Sequence, residues 1–593
     1  MTQEPSKNNA KWNLNDLYFS IDDPNINQDL SAIEKLAEDF IKLYQGKVVN
    51  LSARDLFEAI KSYEIILEKI AKLQSYSYLI HSSNFSDDNY SIFYQNITEK
   101  TSIIESQLIF FPIEINQFED HQIEQLIKDH QLKFYQPFIR DIRFFKKHIL
   151  TKELEKILIE KNITSKNAFI RLFDETINGL KFPYHDKILN CQEIFNLAND
   201  NDEKIREEAS LVIAKIFKDN VKTFGFITNI LAKDKAIEDQ YRKFNKPISS
   251  RNLSNFIDDE IIELLCQSVK ENYAKTSHRY YQIKANLLGK KKLKYWDRNA
   301  SIDNLKTKKT YSWNQAKELV LNAYQDFHPE MSRIAKLFFD NNWIDAEVRN
   351  GKESGAYSHP CVPSIHPYIL MNFQGNTRDV MTLAHELGHG IHQYLSKDQG
   401  FLQCSTPLTL AETASVFGEQ LTFQKLLNDE TNPELKKIII ANKIEDMINT
   451  VVRQIAFLEF EKKIHDHRKI EEISVKKINQ YWLEVQMESL GSAFEFDEDY
   501  QYYWCYISHF IHSPFYVYSY AFGDCLVNSL YAVYNSQKIS NFNDKYLEML
   551  KSGGINHHQQ MLQPFNINIS NKDFWQSGLN ILISYIDQLE KLI

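Results

Sequence analysis

The chain has 593 residues, of which 16 are glycine and 14 are proline, while 43% are hydrophobic and 13% are aromatic. So few turn formers argue against an all-β or a disordered chain, and the apolar content suffices for large cores, so we predict a mainly α-helical protein. The 69 basic and 79 acidic residues give a net charge of −10, which argues against nucleic acid as a partner, because phosphate binding usually requires a basic surplus.

The N-terminus carries no recognisable targeting signal. Residues 1–14 are polar and lack an apolar signal core, and no run of about 20 apolar residues occurs anywhere in the chain. The six cysteines are scattered without CxxC spacing, which favours reduced thiols over a disulfide framework or a cysteine zinc site. We therefore expect a cytoplasmic protein without a membrane partner, and the oligomeric state stays open.

Successive amphipathic helices are predicted for residues 20 to about 180. Within 51–72, apolar side chains recur at spacings of three and four, which is the period of a helix. A turn-rich patch over 178–183 then suggests a boundary near 180–190. We accordingly divide the chain into an N-terminal helical region, 1–190, and a second region, 191–593.

The pattern changes between 340 and 376, where glycine and proline crowd together. The short apolar run Tyr368–Phe373, bounded by turn formers, predicts a β-strand in one small sheet. A sheet edge of this kind can bind an extended peptide by adding it as a further strand. From residue 408 the pattern is helical almost to the end, interrupted by a turn at Gly553-Gly554.

An HExxH motif at 385–389 is the strongest chemical signal in the sequence. Asn376 and Asp379 predict the start of a helix through the motif, on which His385 and His389 lie one turn apart on one face. Both imidazoles can then bind one metal ion. Glu386 is rotated by about 100° from His385, so it is placed to act on a metal-bound water as general base.

A catalytic zinc site needs a third protein ligand and one position left for water. Glu412, on the next predicted helix, can supply that ligand, and Glu419, two turns further on the same face, can accept a hydrogen bond from a ligand histidine. We predict one Zn²⁺ per chain, held by His385, His389 and Glu412, although Co²⁺ or Mn²⁺ would also suit these donors. His392 would close the site to water as a fourth ligand, so we assign it to packing or to support of a ligand.

Residues 385–392, followed by 411–415, resemble the thimet-oligopeptidase family of zinc peptidases, and most of all its oligoendopeptidase F branch. Further blocks resemble that branch in the same order over most of the chain: 12–18, 288–297, 355–368, 453–461, 509–518 and 553–554. The resemblance implies a two-lobed helical fold with a deep substrate channel over the metal. It also implies metal-dependent endopeptidase activity on short unfolded peptides, which makes 191–593 the catalytic region.

Hydrolysis of a peptide bond passes through an oxyanion, which needs hydrogen-bond donors besides a metal. The stretch 509–520 offers His509, His512, Tyr516, Tyr518 and Tyr520. Related peptidases use a histidine and tyrosines from this region to hold substrate and oxyanion. The resemblance therefore implies that role for His509, Tyr516 and Tyr520, with aromatic packing as the alternative for each.

Several other histidines favour ordinary structural roles. His359 and His366 flank the predicted strand and fit turn positions, although contact with substrate stays open for both. His465 and His467 lie in a charged helix, so we expect both to be solvated.

Three alternatives to a zinc oligoendopeptidase require features that the sequence does not offer. A di-iron carboxylate protein needs two ExxH motifs, but His389 is the one histidine of 18 with a glutamate three residues before it. An inactive relative would have lost a catalytic residue, whereas Glu386 and the three predicted ligands are all present. An exopeptidase that trims C-terminal dipeptides would need a group that binds the substrate carboxylate, and the sequence identifies none.

Overall fold

The computed structural model describes residues 10–302 and 309–593, most of which are helical. These residues form two compact units, each assembled from three stretches of chain. The first unit contains residues 10–146, 309–429 and 536–567, and the second contains 147–302, 430–535 and 568–593. The mainly α-helical class is confirmed, while the division at residue 190 stays a prediction about sequence regions.

The first unit consists mainly of helices that pack around buried apolar side chains. The helix predicted over 51–72 is longer than its pattern, because Ser52 caps its start and it continues to Ser83. The helices of this unit are Pro24–Tyr44, Ala53–Ser83, Asp88–Leu108, Phe110–Ile115, Asp120–Leu126, Gln136–Phe144, Trp313–Phe327, Pro329–Asp340, Thr377–Ser396, Leu408–Asp429, Phe542–Lys551 and His558–Leu562.

The second unit is organised around one long helix, Glu203–Tyr241, which begins at the cap Asp202. Its other helices are Lys152–Asn162, Lys166–Gly179, Cys191–Leu197, Ser249–Ser254, Asp259–Glu271, Ser277–Leu287, Pro433–Met447, Arg453–Ile470, Val475–Leu490, His509–His512, Tyr518–Ser536 and Lys572–Glu590. Across the described parts of both units, every helix is too short or too polar to cross a lipid bilayer.

A three-stranded sheet lies in the first unit. Its central strand, Tyr368–Leu370, is fully buried, pairs in parallel with Ile344–Asp345, and pairs antiparallel with Tyr357–His359, with Ser358 opposite Ile369. Helix Thr377–Ser396 packs on this sheet. The predicted strand is thus confirmed beside the motif helix, although it ends at Leu370.

The second unit contains two smaller pairings that the sequence does not predict. Strands Phe182–Tyr184 and Lys187–Leu189 form an antiparallel hairpin, and Leu293–Lys294 pairs in parallel with Phe494–Glu495. Strands of two or three residues are too short to show a periodic pattern, and the second pairing joins residues about 200 positions apart.

Candidate metal centre

The HExxH helix, Thr377–Ser396, begins as the sequence predicts. The Asn376 side chain accepts a hydrogen bond from the Asp379 N–H, and the Asp379 carboxylate accepts one from the Asn376 N–H. This capping box satisfies two backbone donors that the first turn leaves without partners. The capping box thus fixes where the helix begins. Leu383 and Leu387, which are fully buried, mark the face that the helix turns toward the core.

The glutamate helix, Leu408–Asp429, lies directly against the HExxH helix. A Cβ atom at Gly388 would be 2.4 Å from the Ala414 carbonyl oxygen and 2.6 Å from Ser415 Cα, so only glycine permits this approach. The close packing of the two backbones holds Glu412 opposite the histidines of the motif.

Three side chains converge where these helices meet. His385 Nε2 and His389 Nε2 lie 3.3 Å and 3.5 Å from the same Glu412 oxygen, Oε2. One donor atom from each of the three residues lies within 4.8 Å of the others, and each residue is half-buried. Among the described residues, this is the group of three or more metal-ligating side chains that the structure brings together.

The geometry and chemistry of the three donors fit a zinc ion. Ligand atoms bound tetrahedrally at about 2.0–2.1 Å from Zn²⁺ are separated from one another by about 3.3–3.4 Å, close to the distances between Glu412 and the two imidazoles. Two histidines and one glutamate are a ligand set of catalytic zinc sites, which leaves the fourth position open. Ser415 Oγ donates a hydrogen bond of 2.7 Å to Glu412 Oε2 and orients the carboxylate.

The surrounding charges favour a cation at this place. Glu419 Oε2 lies 3.5 Å from His385 Nδ1, the contact that helix spacing predicts. Burial opposes protonation of His385, but the hydrogen bond to Glu419 and the charge of Glu412 outweigh it and raise the His385 pKa to about 9. Burial would raise the pKa of Glu412, yet the charges of His389 and His385 lower it, so this carboxyl is ionised.

Glu386 lies beside the three converging side chains without being one of them. It is 6% exposed, and the backbone N–H of Ser358 in the edge strand faces its carboxyl group. Burial raises the Glu386 pKa to about 7, although the charge of His385 opposes this shift. The position agrees with the rotation that the helical period predicts.

His509, Tyr516 and Tyr520 form a cluster of their own in the second unit. His509 Nε2 lies 3.2 Å from the Tyr520 hydroxyl, and the ring centroids of the two tyrosines are 5.2 Å apart. The other two candidates of this stretch have structural contacts. His512 Nε2 lies 2.8 Å from a carboxylate oxygen of Asp174, and the hydroxyl of the fully buried Tyr518 accepts a hydrogen bond from the Asn255 amide. The role of the three clustered rings in catalysis stays a prediction.

Most of the remaining histidines have structural contacts. His359 Nδ1 accepts the Cys361 N–H, and His366 stacks on Trp343 with centroids 3.7 Å apart. His392 is buried, in keeping with a packing role.

The predicted solvation of His465 is wrong. The residue is 6% exposed, because helix Arg453–Ile470 packs against both Glu203–Tyr241 and Val475–Leu490. A charged helix usually exposes its polar residues to water, but this one is covered on two sides.

Two residues that shape the centre were missed by the sequence argument. Gly388 permits the helix contact, and Ser415 orients the Glu412 carboxylate. The spacing of Ser415, three residues after Glu412 on one helix face, was a signal for the second of these. Nothing in the sequence alone revealed that Gly388 faces another backbone.

Comparison with known proteins places the chain in a peptidase family. The sequence profile of Peptidase family M3 matches residues 196–581, and that of the Oligopeptidase F N-terminal segment matches residues 114–182. The chain therefore belongs to Peptidase family M3, whose members are metallopeptidases, and within it to the oligoendopeptidase F branch.

Individual relatives agree with this assignment along nearly the whole chain. An oligoendopeptidase F homolog of Borreliella burgdorferi is 28% identical and covers 98% of both chains. Oligopeptidase PepF of Bacillus subtilis is 24% identical over 100% of this chain and 89% of its own length. The crystal structure of oligoendopeptidase-F from Enterococcus faecium has the same fold, with a TM-score of 0.72, 20% identity, and coverage of 96% of this chain and 98% of that one.

Proposed function

We propose that this protein is a zinc-dependent oligoendopeptidase that hydrolyses internal bonds of short unfolded peptides in the cytoplasm. Family membership supports peptidase action on oligopeptides. The observation that carries the finer proposal is the convergence of His385, His389 and Glu412 at distances that suit one zinc ion.

In this proposal the two imidazoles and the Glu412 carboxylate hold the metal, and Ser415 and Glu419 hold the ligands in place. A zinc ion bound there would polarise the scissile carbonyl and lower the pKa of a coordinated water from about 15.7 toward about 7. Glu386 would take the proton of the attacking water and deliver it to the leaving amine. Its buried place next to the ligands, but outside their group, supports this role.

The aromatic cluster of the second unit is proposed to bind the substrate. His509, Tyr516 and Tyr520 would donate hydrogen bonds to the peptide and to the oxyanion that forms during hydrolysis. A neutral tyrosine hydroxyl is a suitable donor near neutral pH. The 3.2 Å contact between His509 and Tyr520 supports their action as one group.

One digestion experiment tests the proposed activity. The purified protein is incubated with a mixture of short peptides and one folded protein, with and without a chelator, and every cut is mapped by mass spectrometry. We expect internal cuts in the peptides alone, abolished by the chelator. Cuts confined to C-terminal dipeptides would instead indicate the exopeptidase, and cleavage that survives metal removal would contradict the zinc mechanism.

Glu386→Gln tests the role of the base. Glutamine keeps the shape of the side chain but cannot take up a proton, so turnover should fall by about 10²–10⁴-fold. Zinc content, measured by atomic absorption, should stay at one ion per chain, because Glu386 is not a proposed ligand. Turnover at the wild-type rate in this variant would rule out Glu386 as the general base.

A further inference from the structure

A cavity of about 200 Å³ lies beside the metal centre within the first unit. His389 belongs to both the centre and the cavity wall, and Ala411, which precedes Glu412 in the chain, also lines the cavity. Its walls are residues 360–363 and 365–367, the second half of the HExxH helix, and residues 401 and 404–406 of the loop that follows. We call it the His389 cavity.

The walls of the His389 cavity are mostly apolar. Val362, Ile365 and Phe401 contribute aliphatic and aromatic surface. A smaller part of the wall is polar and comes from His392, Gln393, Ser396, Lys397, Ser405 and Thr406. His392 is 4% exposed, and its Nε2 has no hydrogen-bonding partner among the described residues. A buried nitrogen without a partner is unfavourable, so the wall retains an unused polar group next to an apolar space.

The loop wall of the cavity is supported by the Gly553-Gly554 turn, which contacts residues 403–405. The proposed hydrolysis assigns no role to this turn. The Gly554 N–H donates to the Gln403 carbonyl at 2.8 Å. A Cβ atom at Gly554 would lie 2.3 Å from the Ser405 carbonyl oxygen, and one at Gly553 would lie 2.9 Å from that of Cys404. The two glycines therefore let this turn pack directly on the loop that forms one wall of the cavity.

We propose that the His389 cavity binds one side chain of the substrate, that of a residue next to the cleaved bond, and that it selects aromatic side chains. This inference rests on the proposed peptidase function. In the proposed reaction, a peptide whose carbonyl is held at the metal centre would pass His389, which both belongs to that centre and lines the cavity. An apolar cavity of about 150 Å³ suffices for a benzene ring, so about 200 Å³ accommodates the ring of phenylalanine or tyrosine.

The first test compares peptides that differ only at the residue next to the cleaved bond, with phenylalanine or alanine there. Filling an apolar pocket should raise kcat/KM for the phenylalanine peptide by at least about 10-fold. The same preference should appear in the equilibrium binding of both peptides to Glu386→Gln, measured by calorimetry without turnover. Equal kcat/KM and equal binding for the two peptides would overturn the cavity proposal while leaving the peptidase intact. Failure to cut any peptide would instead refute the proposed function.

Matched variants locate the preference in the cavity. Thr406→Trp places an indole in the cavity and should lower kcat/KM for the phenylalanine peptide to that for the alanine peptide. Leu402→Trp is the control, because Leu402 is half-buried in the same loop but does not line the cavity. An unchanged preference in Thr406→Trp, or an equal loss in Leu402→Trp, would contradict the assignment.

A widening variant keeps the test decisive if Thr406→Trp fails to fold. Phe401→Ala removes a ring from the wall and should shift the preference from phenylalanine toward the larger tryptophan. Circular dichroism and zinc content confirm that each variant is folded and loaded. A Phe401→Ala enzyme with the wild-type order of preference would overturn the proposal.

Discussion

Two helices, one in each unit, carry a pair of titratable side chains one turn apart, with different results. On the HExxH helix, His385 and His389 meet the carboxylate of Glu412 from a second helix. On helix Arg453–Ile470, Glu461 and His465 line a mostly apolar cavity of about 30 Å³. Spacing along a helix thus brings polar groups to one face, but the opposite wall decides what they can bind.

The pair in the second unit is electrically neutral at neutral pH. Burial raises the Glu461 pKa to about 8, and its Oε1 accepts the Phe515 N–H at 2.8 Å. Burial, together with the charge of Lys235, lowers the His465 pKa to about 3. In the first unit, charged partners keep Glu412 ionised. A metal ion needs that concentration of negative charge, and the second pair does not offer it.

The largest expected difference between the two regions is in metal binding. Glu412→Ala removes one of three proposed ligands, so dialysed protein should lose most of its zinc, as measured by atomic absorption. Glu461→Gln is the matched control, since it alters a buried helix glutamate and should keep one zinc per chain. Full zinc content in Glu412→Ala would remove Glu412 from the ligand set.

A smaller effect is expected from the residue behind a ligand. Glu419→Gln keeps a hydrogen-bond acceptor near His385 Nδ1 but removes the charge, so zinc affinity should fall by about 10–100-fold. Competition with a chelator of known affinity measures this change. The wild-type affinity in this variant would show that the Glu419 contact does not support the site.

The helix contact that builds the metal centre can be broken sterically. Gly388→Ala forces a Cβ against the Ala414 carbonyl, and overpacking of this kind lowers the free energy of unfolding by about 1–3 kcal/mol. Gly179→Ala is the control, because a Cβ there meets nothing within 4 Å. Urea denaturation compares the two, and equal stability would mean that the helices separate easily at Gly388.

The last expected difference is a pH dependence of stability that arises from the second unit. The Glu461 pKa rises from 4.5 to about 8 on folding, so its stabilising contribution is complete below pH 4.5 and is lost as the pH rises through about 8. The positive charges of Lys235 and Arg251 face this carboxyl and oppose the shift. The His465 pKa falls from 6.5 to about 3, so its contribution is present above pH 6.5 and is lost as the pH falls through about 3.

Glu461→Gln isolates one of these two titrations. Urea midpoints at about pH 5 and about pH 8.5 should differ more in the wild type than in the variant, because glutamine does not titrate. Gln keeps an oxygen that can accept the Phe515 N–H, which limits other losses. The same pH dependence in both proteins would show that Glu461 is ionised in the folded state.

The sequence alone determined the local part of the metal centre. The capping box at Asn376 and the apolar stripe of the HExxH helix depend on residues within one or two turns, so they follow from the helical period. Glu412 and Glu419 could be chosen because both lie on one face of the next helix. The strand that begins at Tyr368 could also be predicted, because glycines and prolines mark both of its ends.

Only the tertiary structure decided which faces are covered and which distant residues meet. The burial of His465, the contact at Gly388, and the pairing of Leu293–Lys294 with Phe494–Glu495 each depend on a partner far away in the chain. The contacts of His509 with Tyr520, and of His512 and Tyr518 with other parts of the second unit, likewise depend on folding. A periodic pattern records the geometry of one helix or strand. Packing depends on the surfaces of two elements, and the pattern of one element does not specify the surface of its partner.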